Sequence, residues 1–502
     1  MGLFVLLVAL VIAAAGMLPG LSIGPSLDAS VFSTVGWRLA GGDLLYTATW
    51  DHKPPGNYAA HWLAHSLATD PHTSWLITWS LTVVCIAVTA YAVWAILSET
   101  GRTWSAAISS LLVAWVLSSY LLTLGGGLGE SFGTVPASLA IVVAATTRQV
   151  PWRWLVVGGL IAIAGVVSLQ TIPAVAGVAV LGWSADLRIV ARRAGVVALG
   201  GSIILAVAAV PLVVGGTLGA AIDALVAYSA AYQQEVAAGG GAAGSPPALL
   251  PWVFLLLVPL VVPAAMGLLQ GRRDAFRRRL LLASAAWLGA GVILIAIQGR
   301  LYGHYALPLV VPLGLMAGIG LELMRRRLPR RRAGALLLIA PMAAALALAM
   351  VVGAAGAPME QRWIRDSNER AAQVAPVVAD LVAPGETIFV WGNEPRLYEL
   401  ADRAPATRWI YLYPLLTAGY ATPERIAEVR AELAAAPPGG VIDAGSPGPG
   451  EPGMPPLLID RPVSTDGRDQ DLLGPLRAFI RENYELAGIV DGWPVYRANR
   501  GE

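Results

Sequence analysis

The sequence predicts an all-α polytopic membrane domain of about eleven transmembrane helices, followed by a small extracytoplasmic α/β domain. Three observations point there. Of 502 residues, 56% are hydrophobic and 13% charged, with a mean hydropathy of +0.64; soluble domains carry about 25% charged residues. Apolar runs near the length of about 20 residues that a bilayer core demands recur down to about residue 354. From about 355 to 502 the pattern changes to short strand-like runs alternating with helical ones.

The runs fall at about 3–20, 74–97, 105–124, 133–147, 154–170, 172–184, 195–214, 250–269, 280–298, 306–323 and 334–354. Their connections alternate in charge. Seventeen arginines, from Arg102 through the groups at 188–193 and 272–279 to the cluster at 325–332, fall on one side. The opposite connections hold only Arg38, Lys53 and Arg300. The arginine-rich side is therefore cytoplasmic, and so is the amino terminus. This puts the chain in the cell membrane with its tail outside. The first run ends in Ala13-Ala14-Ala15-Gly16, like a signal cleavage site, but no basic segment precedes it, and we expect it to be kept as a helix. A single cysteine, Cys85, excludes an intramolecular disulfide and a thiolate metal cluster. Nothing suggests a nucleic-acid partner, since the arginine clusters sit at helix ends.

The first external segment, about 21–73, carries Asp28, Asp51, His52 and Lys53. Of the 34 basic residues only Lys53 is lysine. An ammonium is a compact point charge where guanidinium is a planar fork, and a phosphate oxygen in a polar cleft suits it. Lys53 stands in Asp51-His52-Lys53-Pro54-Pro55. Asp28 follows the first helix closely, and reads either as the N-cap of a helix over 29–40 or as a general base at the lip of a cavity. Four of the five histidines (52, 61, 65 and 72) lie in this segment and His304 lies on another external connection. His61 and His65, four apart, share a helix face and read as packing residues more than ligands.

Gly125-Gly126-Gly127-Leu128-Gly129-Glu130 is the second external turn, and Glu130, its only charge, faces either bulk water or the cavity of Asp28. Its spacing matches no nucleotide-binding fingerprint. The insertion at about 215–250 holds a helix over 220–238, expected on the outer leaflet surface with Tyr228 and Tyr232 at the interface. Arg300, His304, Tyr305 and Pro308 cluster before the tenth run, where the guanidinium is placed to hold a phosphate or to snorkel. In the tail, 386–392 and Val441-Ile442 read as strands, 394–402, 423–436 and 470–484 as helices, 409–413 as extended, and 485–497 as a final extended pair. The tail shows no nucleophile elbow, zinc signature or phosphate loop.

Together these motifs resemble the GT-C superfamily of integral-membrane glycosyltransferases that use polyprenyl-phosphate sugars, in its aminoarabinose-transferase and protein O-mannosyltransferase branch. The resemblance covers about 1–330 and rests on Asp28, on Asp51-His52-Lys53-Pro54-Pro55, and on Arg300, His304, Tyr305 and Pro308. It departs from the aminoarabinose enzymes in having His52, not Glu, before the lysine. It implies an extracytoplasmic site, a polyprenyl-phosphate sugar donor, and a glycan, lipid or protein acceptor. Asp28 is then the expected base. Lys53 and Arg300, with His304 and Tyr305, are expected to hold the donor phosphate. Asp51, His52 and Glu130 either support the loop or share a divalent ion. A lipid-linked sugar transporter or flippase, and a polymerase or ligase, are the alternatives to simple transfer.

Overall fold

Ten of the eleven expected runs are helices in the computed structural model, which describes residues 1–99, 103–145, 152–237, 250–270, 274–327, 361–445, 457 and 471–499. The eleventh, at about 334–354, lies outside the described residues, as does the boundary between the two domains near 355. Six helices are long and apolar enough to cross a bilayer: Gly2–Ile23, Pro71–Ser98, Leu187–Val214, Pro251–Leu269, Ala275–Gln298 and Gly303–Arg326. Four are shorter: Thr103–Leu117, Gly129–Ala145, Arg153–Val167 and Leu169–Gly182. Gly303–Arg326 is the central helix, with 89% of its apolar window buried, against 11% for Leu187–Val214 at the periphery.

Lipid tails are as apolar as leucine, so helices in a bilayer associate by close packing and not by the hydrophobic effect. Arg153–Val167 and Leu187–Val214 accordingly meet backbone to backbone. A Cβ on Gly158 would stand 1.9 Å from the Val197 carbonyl oxygen, and one on Gly200 2.0 Å from that of Leu155. Leu, Val and Ala dominate the membrane core; the external core instead draws on Trp50, Tyr58, Tyr228, Trp391, Trp409, Tyr420 and Trp493.

The part outside the apolar helices begins with helices Leu27–Ala40 and Ala59–Leu67, joined by an irregular segment that ends in a 3-10 turn, Pro55–Tyr58. A four-stranded sheet ends the chain: β1 (Ile388–Gly392), β2 (Gly440–Ala444), β3 (Tyr484–Val490) and β4 (Trp493–Ala498), in the order β1-β2-β4-β3. β1 and β2 are parallel and joined by a crossover containing Arg396–Leu400 and Pro423–Ala435. β3 and β4 form a hairpin across Asp491-Gly492, both with positive φ, the pairing a tight primed turn requires. The stretch 409–413, expected to be extended, is irregular, and its outer end pairs with the first external segment: Trp50 N donates to Arg408 O at 2.8 Å. A helix over 361–381 packs beneath the sheet.

One expectation for the insertion is overturned. Leu218–Ile222, a π-helical turn Asp223–Tyr228 and Ser229–Ala237 form a continuous helical segment, but Tyr228 is buried and lies on no membrane interface. Its ring packs 5.1 Å from Trp50 and 5.0 Å from Tyr420, and Asp223 pairs with Arg425 at 2.8 Å. Aromatic area is worth more in a closed core than at a wet surface. The insertion is thus a wall between the membrane helices and the sheet domain.

Candidate active site

Tyr46, Tyr58 and Asp51 shape the turn that carries Lys53. The hydroxyl groups of Tyr46 and Tyr58 donate to the Lys53 carbonyl at 2.9 and 3.4 Å, fixing its backbone from behind. The buried Asp51 carboxylate accepts from Tyr58 at 2.8 Å and from Tyr411 of the sheet domain at 2.6 Å, and His52 Nδ1 lies 3.0 Å away. Burial pushes the Asp51 carboxyl up. The charge and hydrogen bond of His52, the bond from Tyr411 and the charge of Lys53 outweigh that and hold it below the usual carboxylate range.

With its backbone anchored, Lys53 presents its side chain to a cleft also lined by His52, Asn57, Glu130, Tyr232, Arg300 and Tyr305. Burial opposes its charge. Tyr305, Glu130, Asp28 and Asp51 overcome that and raise the ammonium above the ordinary lysine value, so it stays protonated. None of these carboxylates makes an ion-pair contact with it among the described residues.

Arg300 lines the same cleft, its guanidinium 3.9 Å from the centroid of the Tyr232 ring and donating to Tyr302 Oη at 3.1 Å. Tyr305 lines the cleft, whereas His304 is buried behind it, stacked on Tyr302 at 5.3 Å. Glu130 begins helix Gly129–Ala145, is buried, and receives Ser168 Oγ at 3.3 Å; it faces the cleft and not bulk water. Gly129 makes this possible, because a Cβ there would sit 1.9 Å from Asn57 Oδ1.

Asp28 is not the N-cap. Ser26 takes that role, its Oγ accepting from Ala29 N at 3.3 Å, and Asp28 is the second residue of helix Leu27–Ala40. Its carboxylate is exposed and has no hydrogen-bond partner among the described residues. It does not line the cleft, but its charge acts on Lys53. The two histidines of Ala59–Leu67 pack as expected: His61 Nε2 donates to Gly127 O at 2.8 Å, and His65 reaches Ser33 at 2.9 Å.

Asp51, His52 and Glu130 do not form a ligand set. Both oxygens of Asp51 accept from tyrosine hydroxyls, and no group of three acidic, histidine or cysteine side chains that could hold a metal ion comes together among the described residues. A divalent ion shared by these three therefore does not fit. Tyr232, Asn57, Ser168, Gln170 and Gln298 line the cleft as well. Reading the sequence missed them because neutral polar side chains leave no charge signature; the pairing of Tyr228 with Tyr232 was the one available hint.

The class of fold is now defined: a bundle of apolar helices with a small carboxy-terminal sheet domain, and a cleft lined by Lys53, Arg300 and Glu130 between the helix connections. Neither a protein-family model nor a curated protein sequence matches the chain. Among solved structures, it is similar over its whole length to ArnT from Cupriavidus metallidurans. The form bound to undecaprenyl phosphate aligns with a TM-score of 0.59 and 13% identity, covering 98% of this chain and 97% of that one. The apo form aligns with a TM-score of 0.61 and 12% identity at the same coverage.

Proposed function

We propose that the chain is an inverting glycosyltransferase that moves a sugar from a polyprenyl-phosphate donor to an extracytoplasmic glycan, lipid or protein acceptor. On this reading it crosses the cell membrane about eleven times, with its amino terminus cytoplasmic and its cleft and carboxy-terminal domain outside. The arginine asymmetry of the connections supports that orientation. ArnT, whose fold it shares, has been captured with undecaprenyl phosphate, a ligand of the proposed donor class.

The observation that carries the reading is the presence of Lys53 and Arg300 in the lining of one cleft, with the carboxylate of Asp28, unpartnered among the described residues, close enough for its charge to act on Lys53. Transfer needs two things at once. The acceptor oxygen must lose a proton as it bonds to the anomeric carbon, and a carboxylate suits that task. The anomeric C–O bond must break with its electron pair passing to the lipid phosphate, whose negative charge grows by one. Fixed cations are most effective where charge develops. Asp28 takes the proton, and Lys53 and Arg300 receive the phosphate, with Tyr305 at the cleft wall beside them.

Purified protein in liposomes, supplied with radiolabelled polyprenyl-phosphate sugars and envelope acceptor fractions, tests this. The expected result is a labelled acceptor and free polyprenyl phosphate, with the anomeric configuration inverted by NMR. Label that crosses the bilayer still attached to its lipid would establish transport instead.

A further inference from the structure

The cleft has two chemically different halves. Lys53, Arg300 and Glu130 make one ionic; Asn57, Ser168, Gln170 and Gln298 make the other neutral and amide-rich. Gln170 Nε2 donates to Gln298 Oε1 at 3.3 Å, and Ser168 Oγ lies 3.2 Å from Gln170 Oε1 and 3.3 Å from Glu130 Oε1, so the neutral half is a connected row ending at the ionic one. Asn57 stands beside this row, 3% exposed, and its Nδ2 has no hydrogen-bond acceptor among the described residues. A buried amide donor left without an acceptor costs about 1–3 kcal/mol in general. It is retained here at a cleft wall where Gly129 has given up a side chain to admit it.

We infer that Asn57, Ser168, Gln170 and Gln298 form a subsite for the hydroxyl groups of an uncharged sugar, the group carried by the lipid phosphate that Lys53 and Arg300 hold. The inference rests on the donor reading above. Each amide offers both a donor and an acceptor and no charge, which matches neighbouring hydroxyls that must do both. A phosphate seeks the cations of the other half. An amino sugar would need a carboxylate of its own among these four residues, and none is there: the only acid lining the cleft among the described residues is Glu130, at the ionic end, where its charge acts on Lys53. The subsite therefore selects a neutral pentose or hexose over an aminated one.

The test measures binding by the full chain in nanodiscs to three lipids: undecaprenyl phosphate, the same lipid carrying a neutral pentose or hexose, and the same lipid carrying a 4-amino sugar. The neutral-sugar lipid should bind the wild type about tenfold more tightly than the bare phosphate, and more tightly than the amino-sugar lipid. Asn57→Ala, which removes the donor without adding charge, and the half-buried Gln298→Ala should each erase most of that difference while binding to bare undecaprenyl phosphate stays unchanged. Preference for the amino-sugar lipid, or variants that keep the full difference, would overturn the subsite and leave the donor reading standing. Failure of the wild type to bind any of the three overturns the donor reading, and the subsite with it.

Discussion

Asp28 and Asp51 belong to the same segment between the first two apolar helices and are treated differently by the rest of the molecule. Asp51 is buried at 1% exposure, with two tyrosine hydroxyls and a histidine around it, one of those tyrosines coming from 360 residues away. Asp28 is exposed, takes no part in capping its helix, and meets no donor among the described residues. The same division holds for the neighbouring polar groups. On the face toward the sheet domain, Ser33 and Thr34 donate to Glu399 at 3.0 and 2.9 Å, and Asn368 donates to Ile23 O at 2.7 Å. On the cleft face, Lys53 is surrounded by charge without being neutralised in contact. Buried polar groups with all partners in place rigidify a structure. Charged groups held without contact partners are free to meet a substrate. One face is the support and the other the tool.

Substitution can break this comparison at either face. Asp28→Asn should have the largest effect, lowering sugar transfer by about 10³-fold, within the range for loss of a general base, with the thermal midpoint unchanged. A normal rate in the radiolabel assay would remove Asp28 from the chemistry. Asp51→Ala should behave in the opposite way, costing about 3 kcal/mol of stability because Tyr58 and Tyr411 lose their acceptor inside the core; a denaturation series reads it directly, and an unchanged midpoint would contradict the supporting role. Lys53→Ala should weaken binding of undecaprenyl phosphate by about 10²-fold with little loss of stability, measured by titration in nanodiscs.

The smallest effect sharpens the support itself. Burial pushes Glu399 up to about 7, against the pull of Thr34, Ser33 and Arg396, while His65 beside it is lowered by burial to about 4. The contact between them is therefore a neutral one between about pH 4 and pH 7, despite their 3.4 Å separation. A carboxyl raised on folding contributes stability that is complete below its unfolded value of about 4.5 and is lost as pH rises through about 7. His65 changes in the opposite sense, gaining as pH rises from about 4 to 6.5, but it is common to wild type and variant. Glu399→Gln should thus gain on the wild type by about 2 kcal/mol between pH 5 and pH 8. A constant difference in midpoint across that range would show that Glu399 does not titrate on folding.

Much of this architecture was legible in advance. The ten described apolar runs appear as helices close to where hydropathy put them, because a run of apolar residues is a local property that needs no partner. Lys53, Glu130, Arg300 and Tyr305 were legible as types, and the structure brings them into one cleft with His52. Asp28 was legible as a residue but not in its role within its helix, since Ser26 and Asp28 are both good caps and only geometry chooses. The insertion was misread because its tyrosines carry the same amphipathic signal at a lipid surface as in an aromatic core. Tyr411 and Asn57 were invisible; nothing near either in sequence announces the group it faces.

The sequence by itself determined where apolar segments recur, which connections carry positive charge, and that the chain's one lysine stands in the segment between the first two apolar runs. Those properties depend on neighbours along the chain. Only the tertiary structure decided which aspartate is buried and which is left open, which amides share a wall with Lys53, and that the carboxy-terminal domain braces the Lys53 turn. Each of these depends on desolvation and hydrogen bonding between groups as far as 360 positions apart, and such pairings acquire their energy only when folding brings the groups into contact.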